Sequence, residues 1–249
     1  MRAYAIGDIH GQFDLFCQAH ERIARDAAQY GPAPVIHLGD LVDRGPKSSG
    51  VITQLRKGIA EGEDWIVLCG NHDRMFTKFM ANPHWIDPRL SGGLNWLHPR
   101  VGGATTLASY GVKNAADRPI ARVHAEALDR VPPEDLAFLA ALPLWHRRDD
   151  LLFVHAGIRP NVPLPAQEPE DLLWIREPFL SDRTDHGVLV IHGHTALQAP
   201  THYGNRLNID SSAGYGGPLS AVVLEGREAF LLTDQGRQSI PITPDALVR

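Results

Sequence analysis

Three apolar runs near the start of the chain each end in a glycine followed at once by a polar side chain: "AIGD" at positions 5–8, "VIHLGD" at 35–40 and "IVLCGN" at 66–71. Each run leads into a stretch with helical spacing. After the first, in "QFDLFCQAHERIARDAAQY", Phe13, Phe16, His20, Ile23, Ala24 and Ala27 recur on one face, and "SSGVITQLRKGIAEG" and "HDRMFTKFMAN" follow the other two. The repeat of about thirty residues is what right-handed crossovers between parallel strands require. Gly7, Gly39 and Gly70 permit sharp turns, so the side chains after them emerge at the carboxyl edge of a parallel sheet, where open α/β sheets bind ligands.

The remainder of the chain divides in two. Residues 82–118 mix proline, glycine and bulky aromatics, and helical periodicity returns over 119–142, where "PPEDLAFLAALP" opens with the proline and acidic residues of a helix start. From residue 151 onward "LLFVHAG", "GVLVIHGHT", "NRLNID", "SAVVLEG" and "EAFLLT" read as strands. The pattern predicts an α/β fold: two packed mixed β-sheets flanked by helices, in one domain over residues 1–249, with a helical and loop excursion at about 82–142. The later strands repeat the early device, with His155 and His194 at their ends.

Five strand ends thus carry Asp8 with His10, Asp40, Asn71, His155 and His194. These are oxygen and imidazole donors without sulfur, a set suited to Mn, Fe or Zn rather than to an all-oxygen calcium site. The set exceeds what one ion needs. Two ions about 3.5–4 Å apart, sharing a carboxylate, would use it, holding a hydroxide nucleophile and clamping a phosphoryl oxygen. One intervening residue lets Asp8 and His10 turn back on the same ion.

"GDIHG", "GDLVDRG", "GNHD", "HAG" and "GHT", spread from Gly7 to Thr195, resemble the signature of the calcineurin-like metallophosphoesterases, and "GDLVDRG" with a lone "GHT" resembles their phosphoprotein phosphatase branch. The resemblance implies a metallophosphoesterase-type β-sandwich. It implies a first metal on Asp8, His10 and Asp40, and a second on Asp40, Asn71, His155 and His194, with Asp40 bridging. Many related phosphodiesterases read GHxH at the last motif; here Ala196 stands at that place, so the first metal has one protein ligand fewer. The family pattern makes His72 a general acid with Asp43 as its partner, and Arg44 a phosphate ligand. Arg176 in "WIRE" resembles a second phosphate-contacting arginine, and Tyr215 in "SSAGYGG" is placed beside the groove. His37 and His192, inside apolar runs, are read as core or as supports of the ligands.

The expected activity is hydrolysis of phosphomonoesters, phosphoserine or phosphothreonine in proteins, by direct attack of the activated hydroxide, with Mn the foremost metal. Two alternatives stand beside it: a symmetrical diadenosine tetraphosphate hydrolase, and a scaffold of the same fold that binds partners without turnover. A dinucleotide would need stacking surfaces, for which Trp85, Trp96 and Tyr110 are available, and cations such as Arg89, Arg100, Lys113 and Arg118; the aromatics are read as core of the excursion. Net charge is −5 over 249 residues with no run of like charge, which predicts no nucleic-acid or membrane partner. Cys17 and Cys69 lack CxxC spacing, and no apolar span or signal pattern is seen, so a cytoplasmic setting is expected, with a phosphorylated protein, peptide or small phosphoester as substrate.

Overall fold

The computed structural model describes residues 2–243. The three N-terminal repeats form β1 (Arg2–Ile6), α1 (Phe13–Tyr30), β2 (Val35–His37), α2 (Ser48–Ala60), β3 (Trp65–Val67) and α3 (Asn71–Ala81). β1 pairs in parallel with β2, and β2 with β3. Along β1 the side chains alternate as a pleated strand requires. Tyr4 and Ile6 pack with Phe16, Ile23, Val51 and Leu55 of the helices, whereas Ala3 and Ala5 face a second sheet.

Three helices follow, α4 (Gly103–Ser109), α5 (Ile120–Arg130) and α6 (Pro133–Ala140). The periodic stretch over 119–142 holds two helices, the second beginning where "PPED" marks a helix start: Val131 and Pro132 are extended (ψ 120° and 131°), and Pro133 opens α6 with Glu134 and Asp135 in its first turn. A residue before proline is driven out of the α region, and two consecutive prolines remove the amides that would carry α5 onward.

The second sheet contains β4 (Trp145–Arg148), β5 (Leu151–Val154), β6 (Leu189–His192), β7 (Thr201–His202) and β8 (Arg206–Asn208), with α7 (Pro169–Trp174) between β5 and β6. Its order is β4-β5-β6-β8-β7, with β5, β6 and β8 parallel. The chain then returns to the first sheet as β9 (Ala221–Glu225), β10 (Glu228–Thr233) and β11 (Gly236–Ser239), giving the order β11-β10-β9-β1-β2-β3. Ala3, Ala5, Ile36, Leu38, Val222 and Leu224 meet Leu151, Phe153, Leu189, Ile191, Leu207 and Ile209 between the sheets. The outer face of the second sheet, Leu152, Val154 and Val190, is covered by Leu172, Ile175, Phe179 and Leu180. Both sheets are mixed and helices flank them, as the sequence pattern predicts. Among the described residues no helix is long and apolar enough to cross a membrane.

His37 and His192 lie in these cores, each fully buried. His192 Nε2 accepts from the buried Arg206 at 3.2 Å, whose guanidinium sits 3.6 Å from the Tyr203 ring centroid. His37 faces His20 of α1, with the two Nε2 atoms 3.0 Å apart, so one ring donates and the other accepts. Burial pushes His20 down to about 4 and His37 well below the ordinary imidazole value. Below pH 6.5 the unfolded chain therefore takes up protons that the folded chain refuses, and stability falls as pH drops toward 4. His20→Gln should flatten this slope, by up to ~1.4 kcal/mol per pH unit. Denaturant unfolding of both proteins at pH 7.5 and pH 5 measures it; equal losses in the two would rule His20 out as a source.

Candidate metal centre

The parallel strands of the two sheets end at the same edge of the sandwich, and the loops leaving them interleave. Asp8 follows β1 and Gly7, where a Cβ would come 2.5 Å from the Ile209 carbonyl oxygen. Asp8 Oδ2 accepts the His194 amide at 3.0 Å, while its Oδ1 is buried without a partner. His10 has φ 48° and donates Nδ1–H to the Val42 carbonyl at 2.9 Å, which turns Nε2 toward Asp40 Oδ2, 3.4 Å away. Asp40, after β2 and also left-handed (φ 49°), accepts the His72 amide on Oδ1 at 2.9 Å. His155 Nε2, arriving from β5, lies 3.4 Å from that same oxygen. Asn71 opens α3, and its Oδ1 lies 2.9 Å from His155 Nε2 and 3.0 Å from His194 Nδ1.

These donors fit metal ions. His10 and Asp40, with His72, form one group whose ligand atoms all lie within 4.8 Å of one another, and Asp40, His155 and His194 form a second. Asp40 belongs to both, the place of a bridging carboxylate. His155 gives its Nδ1 proton to the Leu38 carbonyl at 2.9 Å, so its Nε2 lone pair faces the oxygens of Asn71 and Asp40. Acceptor against acceptor is repulsive until a cation stands between them. The unpartnered Asp8 Oδ1 asks for the same compensation.

Burial lowers His10 and His194 well below the usual imidazole value and lowers His155 as well, which keeps their lone pairs free for a metal. Burial would raise Asp40, but the surrounding imidazoles, His155 foremost, outweigh it and hold the carboxyl far below its usual range. Asp8 moves the other way, raised by burial and by the charges of Asp210 and Asp40.

Beside the ligands, His72 donates Nδ1–H to Asp43 Oδ2 at 2.6 Å. Asp43 is fully buried, and it also accepts the Trp96 indole N–H at 2.8 Å and the Thr106 hydroxyl at 2.7 Å. Arg44 donates to His10 Nε2 at 2.6 Å and to His72 Nε2 at 3.0 Å, with its guanidinium 4.4 Å from the Tyr215 ring centroid. The lone pair of His10 Nε2 can serve this guanidinium or a metal ion, but not both. Arg100 and Arg176 join these residues in lining an open cleft of about 150 Å³, and the exposed Tyr215 stands on its rim.

Every residue singled out from the sequence therefore comes to this edge: Asp8, His10, Asp40, Asn71, His155, His194, His72, Asp43, Arg44, Arg176 and Tyr215. Several others at the site escaped the sequence. Asp73 accepts the Gly70 amide at 2.8 Å and the Leu41 amide at 2.9 Å, tying two strand-end loops together. Trp96 was expected in the core and is buried, stacked on Phe76 at 5.1 Å, yet its N–H also serves Asp43. Thr106 and Trp96 carry no local signal, because Asp43 lies 63 and 53 residues away. Asp210 lines the cleft, and burial raises its carboxyl to about 6. Its signal was present, since it ends the strand-like "NRLNID" as Asp8 and Asp40 end theirs.

The calcineurin-like phosphoesterase family matches residues 1–223. The chain is 28% identical to Serine/threonine-protein phosphatase 1 of Salmonella typhimurium over 230 residues, 87% of this chain and 89% of that protein. It is 25% identical to the asymmetrical bis(5'-nucleosyl)-tetraphosphatase PrpE of Anoxybacillus flavithermus over 239 residues, 87% and 88% of the two chains. In fold it is similar to a putative diadenosine tetraphosphatase, with a TM-score of 0.61, 23% identity and 92% of each chain covered. A cold-active protein-tyrosine phosphatase of Shewanella shares the fold with a TM-score of 0.60 at 16% identity, over 96% of this chain and 80% of that one. The matched span contains both donor groups and the whole cleft lining, and the protein is a phosphoester hydrolase that belongs to the calcineurin-like phosphoesterase family.

Proposed function

We propose that this protein hydrolyses phosphomonoesters, with phosphoserine and phosphothreonine in proteins as its substrates and two Mn²⁺ ions as its cofactor. The observation that carries the reading is the open cleft in which Arg44, Arg176 and His72 converge beside both donor groups. Such a cleft suits one phosphate on a protruding side chain. Two divalent ions on Asp8, His10, Asp40, Asn71, His155 and His194 would polarise a phosphoryl oxygen and lower the pKa of a water that supplies the nucleophile.

The chain's own residues do the rest. Arg44 leaves His10 and His72 to bind the phosphate bidentately, and Arg176 adds a second cation from the rim. Arg44's departure frees His72 Nε2 to face the ester oxygen. Once Arg44 has left, Nε2 is free to take up a proton from solvent, and as the P–O ester bond breaks His72 gives this Nε2 proton to the leaving oxygen while its Nδ1–H stays on Asp43. Trp96 and Thr106 hold Asp43 in turn. The widely separated free cysteines, Cys17 and Cys69, support a reducing, cytoplasmic setting.

A second reading, hydrolysis of dinucleoside tetraphosphates, is favoured by the activity for which the PrpE relatives are named, which is asymmetrical rather than the symmetrical cleavage expected from the sequence. Against it stands the small number of aromatic faces open at the cleft. Trp96 is buried, Trp85, Tyr110 and Trp174 pack against the core, Trp174 also meeting His194, and the exposed ring of Tyr215 has the Arg44 guanidinium over it.

Chelation should abolish hydrolysis of an aryl phosphate and Mn²⁺ should restore it; full activity in protein shown by elemental analysis to be metal-free would sink the two-ion reading. His72→Asn should lower kcat by about 10²–10⁴-fold with metal content unchanged, and the loss should shrink for an activated aryl ester. Equal losses for aryl and alkyl phosphates would remove His72 from the proton-transfer role. In direct competition, phosphoserine or phosphothreonine peptides should exceed diadenosine tetraphosphate in kcat/KM. Chromatography of the nucleotides released decides the matter: a dinucleotide advantage of about tenfold or more would overturn the protein-phosphatase reading, and the products would distinguish symmetrical from asymmetrical cleavage.

A further inference from the structure

The loop that carries His194 lies flat on the loop that leaves β8. Asn208 Nδ2 donates to the Thr195 carbonyl at 2.7 Å, the Leu197 amide to the Asp210 carbonyl at 3.0 Å, and the Ser212 hydroxyl to the Leu197 carbonyl at 2.7 Å. Residue 196, in the middle of this contact, is alanine and offers no donor. Asp210 docks against the same turn through its backbone carbonyl, and its side chain lines the cleft. It is 5% exposed and lines the cleft with His10, Asp40 and Arg44. Among the described residues its only side-chain hydrogen bond is the one its Oδ1 accepts from the Ser212 amide at 3.0 Å. A carboxylate has about four lone-pair sites, so most of this one's capacity is unused.

The neighbourhood calls for a cation. Asp8, 2% exposed, has its Oδ1 buried with no partner; Asp40 and Asp210 line the cleft, and the Asp210 backbone packs against Gly7, next to Asp8 in the chain. Buried carboxylates are costly unless paired, and although Arg44 and Arg176 also line the cleft, among the described residues neither makes a hydrogen bond or ion pair with Asp8 or Asp210, Arg44 donating instead to His10 and His72.

We propose that Asp210 is a further carboxylate of the first-ion site, facing the ion held by Asp8, His10 and Asp40. The inference rests on the two-ion reading above. Asp210 raises the affinity of that ion, and its loss leaves the ion held by Asn71, His155 and His194 in place.

The test is titration of the metal-free protein with Mn²⁺, followed calorimetrically. Asp210→Asn keeps an oxygen for the Ser212 amide and removes the charge; Asp210→Ser is a second, smaller variant that also keeps an acceptor. We expect two Mn²⁺ sites in the unaltered protein and, in both variants, about a 10–100-fold weakening at one site with the other unchanged within about twofold. The Mn²⁺ concentration that raises the thermal unfolding midpoint should shift by the same factor, which gives the answer even for a variant that is poorly folded without metal. Two sites of unaltered affinity in both variants would overturn the proposal, including the case in which inhibition by inorganic phosphate changes, since Asp210 would then act only as a partner of Arg44. Fewer than two sites in the unaltered protein would remove the two-ion reading and this proposal with it.

Discussion

A carboxylate that is 2% exposed must be compensated from every side, and Asp40 receives that compensation from both sheets. From the first sheet come the His72 amide at 2.9 Å and the His10 imidazole at 3.4 Å, and from the second comes His155 at 3.4 Å. The backbone must be bent for this. Asp40 is left-handed, as are His10, Asp43, Arg44 and His194, and each such non-glycine residue stores of order 1–3 kcal/mol. The glycines beside them have a different task. A Cβ on Gly70 would stand 2.1 Å from the Asp40 nitrogen, and one on Gly193 would stand 2.0 Å from Asp8 Oδ1. Bare backbone at these points lets two sheets place side chains on one small volume.

Where the sequence was legible, a period coincided with a chemical punctuation mark. The three N-terminal units pair an apolar run with a glycine and a polar residue, so both the parallel strands β1, β2 and β3 and the side chains at their ends could be read together. β5 and β6 were readable because they are buried on both faces and therefore almost uninterruptedly apolar. β4 escaped because it is an edge strand, "WHRR", whose exposure alternates and whose side chains are mostly polar. β7, with two residues, has no period at all. Within 119–142 the apolar rhythm runs on across Val131, and it is the prolines and acids of "PPED" that mark the break and the start of α6.

The site was legible to the extent that its residues follow strands. Asp8, Asp40, Asn71, His155 and His194 are strand-end residues, and a strand end is a position that sequence can mark. Trp96 and Thr106 reach Asp43 from the excursion, by tertiary contacts that no local pattern encodes. That contact changes what the excursion is. Its aromatics are core, as Trp96 against Phe76 and Phe79 shows, but the same indole fixes the carboxylate that orients His72. Packing of residues 82–118 and the position of His72 are therefore one mechanical unit.

This coupling separates the parts of the site that are free to change from those that are not. The donors at the strand ends are locked to each other through Asp40 and to the backbone through Val42 and Leu38, so they have little freedom to vary. The cleft walls are held differently. Leu90, Leu94, Arg100 and Val101 come from the excursion, Trp174 and Arg176 from α7 and the turn after it, and Tyr215 from the loop after β8. None of these side chains belongs to the two donor groups. Substitutions among them can reshape what surrounds the phosphate without touching the groups that would hold metal. Trp96 is the exception within the excursion, because a change there that alters its N–H or its stacking acts on His72 through Asp43. The rim can thus change independently of the donors, while the inner end of the excursion stays tied to His72.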